Sequence, residues 1–392
     1  MNMNERFAQK YFLTEEEIAV RDLAQQFAQN TIAPRAAALD AHGVEFPADL
    51  MKQAADLGLL GITMPEEYGG MGLSTICQMV AIEEISKASP GFAACMHAHS
   101  GLGLISLLLG GSEEQRQTKL AEAIRGDKFC SFALTEPGAG SDSGSLTTSA
   151  KLDGDEWVLN GQKAWITNLT SGGFFVVAAK TDPTASRGHG ISVFYVDAHT
   201  PGLEIGKPEM KCGNRCSSSG PLYFDDCRIP KENLIGKEGE GFKIMMKGLD
   251  MGRLGIAAIS LGIAQDCYDR SVFYANQREQ FGHPLSQNQV IAFYLAEMAM
   301  KIDLARTMLY NVCRMKDAGQ DYVAEAAAVK VFASDLCVKC AETAMQIHGG
   351  NGYSEEYVVE RHWRDSKLQT IGEGTNEINK IVISRRCIKG DY

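Results

Sequence analysis

The period of the apolar pattern changes twice along this chain, and no other feature restricts its fold as much. Up to about residue 128, apolar residues recur at helical spacing. Thr14-Glu15-Glu16-Glu17 has the form of a capping box ahead of Ile18, Leu23 and Phe27. Further helical patterns cover 48–57, 76–87, 92–109 and 113–124. Pro34, Pro47, Pro65 and Pro90 fall between these patterns or near their ends, where a missing N–H does least harm. Over 129–235 the spacing shortens to two. Short β-like runs follow one another: CSFALTE (130–136), EWVLNG (156–161), KAWITN (163–168), FFVVAAK (174–180), ISVFYV (191–196) and LYFDDCRI (222–229). Asp153-Gly154, Asn160-Gly161 and Pro201-Gly202 read as turns between runs. From about Gly241, long 3.6-residue stripes without internal proline return. Helix, then strand, then helix leaves no strand–helix alternation, which argues against a doubly wound sheet or a βα barrel. The expected fold is α+β: an N-terminal helical domain (1–128), a central small β-barrel or sandwich (129–240) and a C-terminal four-helix bundle (241–392).

Charge excludes one class of partner. Lys plus Arg number 38 and Asp plus Glu 49, a net charge of −11, whereas a nucleic-acid footprint needs a basic face. No nucleic acid is expected. The first twelve residues lack the apolar core of a signal peptide, and the longest apolar stretch, near 102–109, is too short to span a bilayer. A soluble, cytoplasmic protein without membrane insertion is expected. The 11 cysteines are scattered. Cys212 with Cys216, and Cys337 with Cys340, lack a second close pair or a histidine at zinc spacing, so they read as structural thiols and no metal is expected.

Four segments could carry chemistry, and each has a plain structural reading beside the functional one. LTEPGAGSD (134–142) follows a strand, and its glycines let backbone N–H groups approach a heterocycle or a phosphate; it also reads as an ordinary tight turn. In AWITN (164–168), strand periodicity sets Trp165 and Thr167 on one face, either as the wall of a planar cofactor or as a buried pair. QIHGGNGY (346–353) ends a helix, and His348 there reads as packed or capping. IGEGTNE (371–377) precedes an apolar stripe. Glu373, between two glycines, reads equally as a base on a loop or as an acid stabilising a helix start.

Taken together, these segments resemble the acyl-CoA dehydrogenase family. The match is carried by PEEYGGMGL (65–73), FALTEPGAGSD (132–142), KAWITN (163–168), RLGIAAISLGIAQ (253–265), YANQREQFGHPLSQNQ (274–289), LAEMAMKIDLAR (295–306), QIHGGNGY (346–353) and IGEGTNEI (371–378), and it runs over about 14–387. The resemblance implies a homotetramer binding FAD between the β-domain and the C-terminal helices. It implies an acyl-CoA substrate and electron-transfer flavoprotein as partner. Phe132, Leu134, Thr135 and Ser141 then match the loop lining flavin and ligand, and Trp165 and Thr167 flank the isoalloxazine. Arg278, Gln280, Phe281 and Gln289, with Gln346 and Gly350, match cofactor contacts across a subunit interface. Thr375 and Glu377 match contacts from the last loop, although Glu377 stands where Gln is common. Glu373 matches the catalytic base, which takes the α-proton while the β-hydrogen leaves as hydride to the flavin. Some members carry the base at the position of Gly252, and glycine cannot serve. Ser141, Asp250, Gly252, Arg253 and Gly374 match substrate contacts.

The acyl pocket is implied to be short and wide. Gly372 stands where many members have Tyr, and Ala93 where glutaryl-CoA dehydrogenases place an Arg. A branched or alicyclic acyl group fits that pattern better than a dicarboxylic one. His97 and His99, on the helix expected to line the acyl tail with Ala93 and Ala94, could add polarity to the pocket but read first as structural. The rival functions are an enoyl-CoA reductase in the reverse direction, an oxidase or monooxygenase on the same fold, and a catalytically silent binding protein.

Overall fold

The structure, a computed structural model, describes residues 3–392. The Thr14 capping box forms as expected: Thr14 Oγ1 accepts from Glu17 N at 3.2 Å, and Glu17 Oε2 accepts from Thr14 N at 2.9 Å. It starts α1 (Glu15–Phe27). Two longer elements complete the frame of this region, α2 (Thr75–Ala88) and α3 (Pro90–Gly110). The middle of α3, Ala98–Leu104, is π-helical.

α3 corrects one expectation. By length and composition its 21 residues could cross a membrane, more than the stretch near 102–109 suggested, but 83% of its apolar window is buried inside the fold. It is a core helix, buried along most of its length inside the fold.

The strands are β1 (Cys130–Ala133), β2 (Ser149–Asp153), β3 (Glu156–Thr167), β4 (Phe174–Lys180), β5 (Ile191–Asp197), β6 (Leu203–Ile205), β7 (Ser219–Pro230) and β8 (Leu234–Ile235). They join one sheet in the order β6-β7-β3-β2-β4-β5-β8, with β1 parallel to β4. Its two halves meet at a single parallel pair, Ser149 with Lys180. Trp157, Leu159 and Leu222 from one half and Phe175, Val177 and Phe194 from the other close over a common core, which is the sandwich expected. Asn160-Gly161 is not a turn. EWVLNG and KAWITN are one 12-residue strand, and the register with β7 shifts between Leu159 and Gly161. Two residues of β7, Asp225 and Asp226, there face one of β3, which makes a bulge, with Gly161 at φ 138° and Asp226 at φ 46°.

The C-terminal region consists of α4 (Gly241–Gln277), α5 (Gln289–Asp317), α6 (Val323–His348), α7 (Val358–Gln369) and α8 (Asn376–Lys389). α4 is central, touching α2, α5, α6, α7 and the π-helical part of α3. Glycines on α4 allow this. A Cβ at Gly262 would come within 2.5 Å of the Glu83 carbonyl on α2.

α2, α4 and α5 are also tied by buried charge. Arg306 and Glu83 are each 2% exposed, and Arg306 Nη2 donates to Glu83 Oε1 at 2.6 Å and to Gln265 Oε1 at 2.8 Å. Burial alone would raise the Glu83 carboxyl, but Arg306 beside it holds it below its ordinary value. Because the folded-state value is depressed, this stabilisation is present above the unfolded carboxyl range and lost as pH falls. Glu83→Gln, which strands a buried guanidinium, is expected to cost about 3–5 kcal/mol in urea unfolding. Glu83→Leu with Arg306→Met should recover most of that loss.

Candidate active site

Backbone strain falls on three of the candidate site residues. Among the described residues, seven non-glycine residues have positive φ, and Trp165 (60°), Phe281 (57°) and Glu373 (54°) are three of them. Each such residue costs about 1–3 kcal/mol, so it persists only where its surroundings fix it.

Glu373 sits between α7 and α8. Thr375 caps α8, its Oγ1 accepting from Ile378 N at 3.3 Å, so the helix-start reading of this segment holds together with the loop reading. Exposed Glu377 lies in the first turn of α8. The loop is gripped at the Gly374 carbonyl, which accepts from Lys330 Nζ at 2.9 Å and from Asn379 Nδ2 at 2.8 Å. Lys330 also donates to Asn376 Oδ1 at 2.9 Å. Burial pushes the Lys330 ammonium down to about 8, against the opposing pull of Glu373. The Glu373 side chain is 10% exposed, and its Oε2 is buried with no hydrogen-bond partner among the described residues.

Gly252 lies under that oxygen. A Cβ at Gly252 would stand 1.9 Å from Glu373 Oε2 and 2.8 Å from Leu102 Cδ2. One turn earlier on α4, a Cβ at Gly248 would be 3.9 Å from Phe132 Cε2. Positions four apart share a helix face. Phe132 on β1, the bare face of α4 and the Glu373 loop therefore converge. Beside them, Arg253 Nη1 pairs with Asp250 Oδ1, while Arg253 Nε is buried without a partner among the described residues. Burial raises the Asp250 carboxyl despite Arg253.

β3 supplies the next wall. The β3–β7 register shifts between Lys163 and Ile166, and this second bulge turns Trp165 outward, 61% exposed. Ile166 is buried and Thr167 half-buried, so Trp165 and Thr167 do share a face. Ala164 N donates to the half-buried Thr135 at its carbonyl, 2.9 Å away. The side chain of Leu134 turns into the core, while Ser141 is exposed and Gly138 and Gly140 have open space around them. A buried ion pair pins the loop: Lys163 Nζ donates to Glu136 Oε1 at 2.7 Å, and Glu136 accepts from Thr147 N and Thr148 N at 2.7 and 3.0 Å. Burial lowers Lys163 to about 8. Burial would raise Glu136, but Lys163 holds it down at about 2.

A second group lies apart. Arg278, Gln280, Phe281 and Gln289 are exposed on the connection from α4 to α5, with Phe281 94% exposed. Gln346 and Gly350 are exposed at the end of α6. Tyr274 joins the two segments: its hydroxyl donates to the His348 carbonyl at 3.3 Å and accepts from Asn351 Nδ2 at 3.0 Å. His348 is packed, its ring stacked on Tyr274 at 4.3 Å. From Gly252 to the end of α4, the helical rise alone gives roughly 37 Å. That is longer than an extended flavin dinucleotide.

The two histidines of α3 differ, and one departs from expectation. His99 is structural. Its Nδ1 accepts from Cys130 N at 2.9 Å and its Nε2 faces the Ala123 carbonyl at 3.1 Å, which fixes a neutral ring with the proton on Nε2. His97, read from sequence as structural, lies with Nε2 3.0 Å from Glu373 Oε1. Ala93, expected along the acyl tail, is in the hydrophobic core with no exposure. Nothing in the one-dimensional pattern joins His97, Lys330 and Glu373, which are far apart in sequence and meet only through packing.

Burial lowers His99 from its ordinary 6.5 to about 4. Between those values the unfolded chain binds a proton that the native state does not, so stability is full above pH 6.5 and is lost as pH falls towards 4. The loss should reach about 3 kcal/mol. Urea midpoints measured across this window should fall more steeply for the wild type than for His99→Asn.

Comparison with known proteins matches most of the chain. Family models described as the N-terminal, middle and C-terminal domains of acyl-CoA dehydrogenase match residues 14–127, 131–227 and 239–388. The short-chain specific acyl-CoA dehydrogenase of human mitochondria is 44% identical over 93% of this chain and 88% of its own length. Butyryl-CoA dehydrogenase from Megasphaera elsdenii superposes with a TM-score of 0.93 at 38% identity, over 96% of this chain and 99% of the other. A chain in the structure of the electron transferring flavoprotein of Acidaminococcus fermentans, described as bearing on flavin-based electron bifurcation, gives 0.94 at 41% identity over 96% and 99%.

Proposed function

The chain belongs to the acyl-CoA dehydrogenase family of FAD-dependent oxidoreductases, and from that premise we propose that it is a cytoplasmic enzyme that oxidises short, branched or alicyclic acyl-CoA thioesters to 2-enoyl-CoA, with Glu373 as the base. The observation that carries this reading is the Glu373 carboxylate: largely buried, fixed on a strained loop, with one oxygen lacking a partner above Gly252. A carboxylate held this way can take a proton from a carbon placed beside that oxygen. The loop keeps it from retreating, because two donors hold the adjacent Gly374 carbonyl.

The residues present fit FAD. Trp165 offers an exposed indole face next to Thr167, and the open backbone of Gly138 and Gly140 can approach a ligand. In this reading Phe132, Leu134, Thr135 and Ser141, with Thr375 and Glu377 from the last loop, complete that side. Leu134 contributes through its backbone alone. When bound, FAD would supply the acceptor for the β-hydrogen as hydride. Asp250, Gly252, Arg253 and Gly374 face the thioester's side of the site, and the unpartnered Arg253 Nε is a donor available to it.

Arg278, Gln280, Phe281, Gln289, Gln346 and Gly350 serve a flavin in another copy, in accord with the length of α4. Exposed Val290, Phe293, Met300 and Leu304 on α5 form an apolar face suited to that assembly, which we take to be a homotetramer. Electrons pass to an electron-transfer flavoprotein. The Acidaminococcus structure supports that partner, and the human and Megasphaera relatives support a short acyl group. Width beside the reacting carbons rests on Gly372, where a Cβ would meet only the Leu368 carbonyl at 3.6 Å.

Glu373→Gln should retain FAD and bind thioester but lose roughly 10²–10⁴-fold in the rate of flavin reduction, measured in single-turnover stopped flow. An unchanged rate would reject the base. Anaerobic titration with linear, branched and cyclic acyl-CoAs tests the substrate class. Gly372→Tyr should lower kcat/KM for the bulky substrate more than for butyryl-CoA, by an amount equivalent to about 1–3 kcal/mol. Equal losses on both, or palmitoyl-CoA as the best substrate, would remove the pocket assignment. Sedimentation of the holoprotein as a monomer with full FAD would remove the intersubunit site.

A further inference from the structure

We propose that His97 is a positioning residue for Glu373: it holds one carboxylate oxygen and thereby turns the other toward the substrate's α-carbon. This rests on Glu373 being the base. His97 is 2% exposed on α3, and its Nε2 is hydrogen-bonded to the Gly252 carbonyl at 3.0 Å. A carbonyl only accepts, so that nitrogen carries the proton. The same nitrogen is 3.0 Å from Glu373 Oε1. One N–H thus stands between a fixed backbone acceptor and the reacting side chain.

The ring has no freedom to turn away. A Cβ at Gly101, one turn along α3, would come within 2.3 Å of His97 Cε1 and Nδ1. A Cβ at Gly255 on α4 would come within 2.0 Å of Cε1. The two glycines form a slot that the imidazole fills. The wide π-helical turn of α3 begins at the next residue, Ala98. Such turns insert a residue and re-aim the side chains around them. His97 Nδ1 is buried with no partner among the described residues, so no bond from them on the far edge competes for the ring's orientation.

Glu373 has little else to orient it. Lys330, the nearby ammonium, gives its hydrogen bonds to the Gly374 carbonyl and Asn376 rather than to the carboxylate. Among the described residues, His97 is the side chain within hydrogen-bonding range of the Glu373 carboxylate. With Oε1 3.0 Å from His97 Nε2, Oε2 is left in the space over Gly252. A base rotated by an ångström loses much of its rate, because proton transfer needs the reacting atoms in line at close range.

The test separates proton abstraction from electron transfer. A 3-thiabutyryl-CoA carries sulfur at the β-position and has no β-hydride to lose. Exchange of its α-hydrogens into D2O, followed by mass spectrometry on the holoenzyme, reports the base alone. His97→Ala should slow exchange by roughly 10–100-fold while the Kd of this thioester changes by less than about 3-fold. His97→Gln, whose amide N–H reaches the same region, should restore most of the rate. His97→Asn, too short to do so, should not. Gly255→Ala, which closes the slot with His97 still present, should behave like His97→Ala. Flavin content serves as the check on folding. If His97→Ala loses flavin, the Gln and Asn pair decides.

Exchange in His97→Ala within about 3-fold of wild type would overturn the proposal. Equal rates in the Gln and Asn variants would do the same, as would losses matched by lost thioester affinity. Glu373→Gln distinguishes the two readings. If it abolishes exchange while the His97 variants do not, Glu373 stands as the base and His97 falls. If Glu373→Gln itself exchanges normally, the base reading fails, and the proposal with it.

Discussion

The bare face of α4 is the constraint on which the site depends. Gly252, Gly255 and Gly262 each lie where a single added carbon would collide with another element: the Glu373 carboxylate, the His97 ring and the backbone of α2. Helices normally sit 8–10 Å apart because side chains separate them. Removing those side chains lets α3 bring an imidazole against a carbonyl of α4, and lets the loop before α8 lower a carboxylate onto the same spot. The fold gives up apolar burial and helix propensity at these glycines. It gains a polar cluster enclosed by three elements that are remote in sequence.

Enclosure of that kind needs rigid supports, and buried charge provides them. Lys330 grips the Gly374 carbonyl next to the base, and Lys163 with Glu136 fixes the loop from 134 to 148 opposite it. Burial lowers both lysines to about 8, against the raising pull of Glu373 on Lys330 and of Glu136 on Lys163. The anchors lock segments in place, and the positive φ of Trp165 and Glu373 persists because the neighbouring structure leaves no relaxed alternative. Farther out, Arg306 and Glu83 bind α5 to α2 and hold the helical layer that backs α3 and α4.

Much of this was legible before any coordinates. The capping box at Thr14, the strand at 174–180 and the long C-terminal helices follow from local pattern, because each is fixed by neighbours within a few residues. The Asn160-Gly161 pair misleads for the same reason. Locally it is a turn dipeptide, but pairing with β7 on one edge and β2 on the other keeps the strand extended, and the bulge opposite it puts its extra residue on β7. His97 was missed because its sequence neighbours are those of a core helix. Its importance comes from Glu373, 276 positions away (373 − 97). A histidine followed four residues later by glycine is too common a pattern to have flagged it.

The sequence by itself determined the three-part order of helix, sheet and helix, the family, and the identity of the residues able to do chemistry. Periodicity and motif are properties of the chain read in one dimension. Tertiary structure alone decided which of those residues meet. It turned Trp165 outward through a bulge, sent Ala93 into the core, made His99 a backbone bridge and set His97 against Glu373. It also separated the Arg278 group from the Glu373 group by the stretch of α4 from Gly252 to its end. The physical reason is that contact distance between elements depends on what lies at their crossing points. On α4 those points are glycines, whose absent side chains record no partner in the sequence.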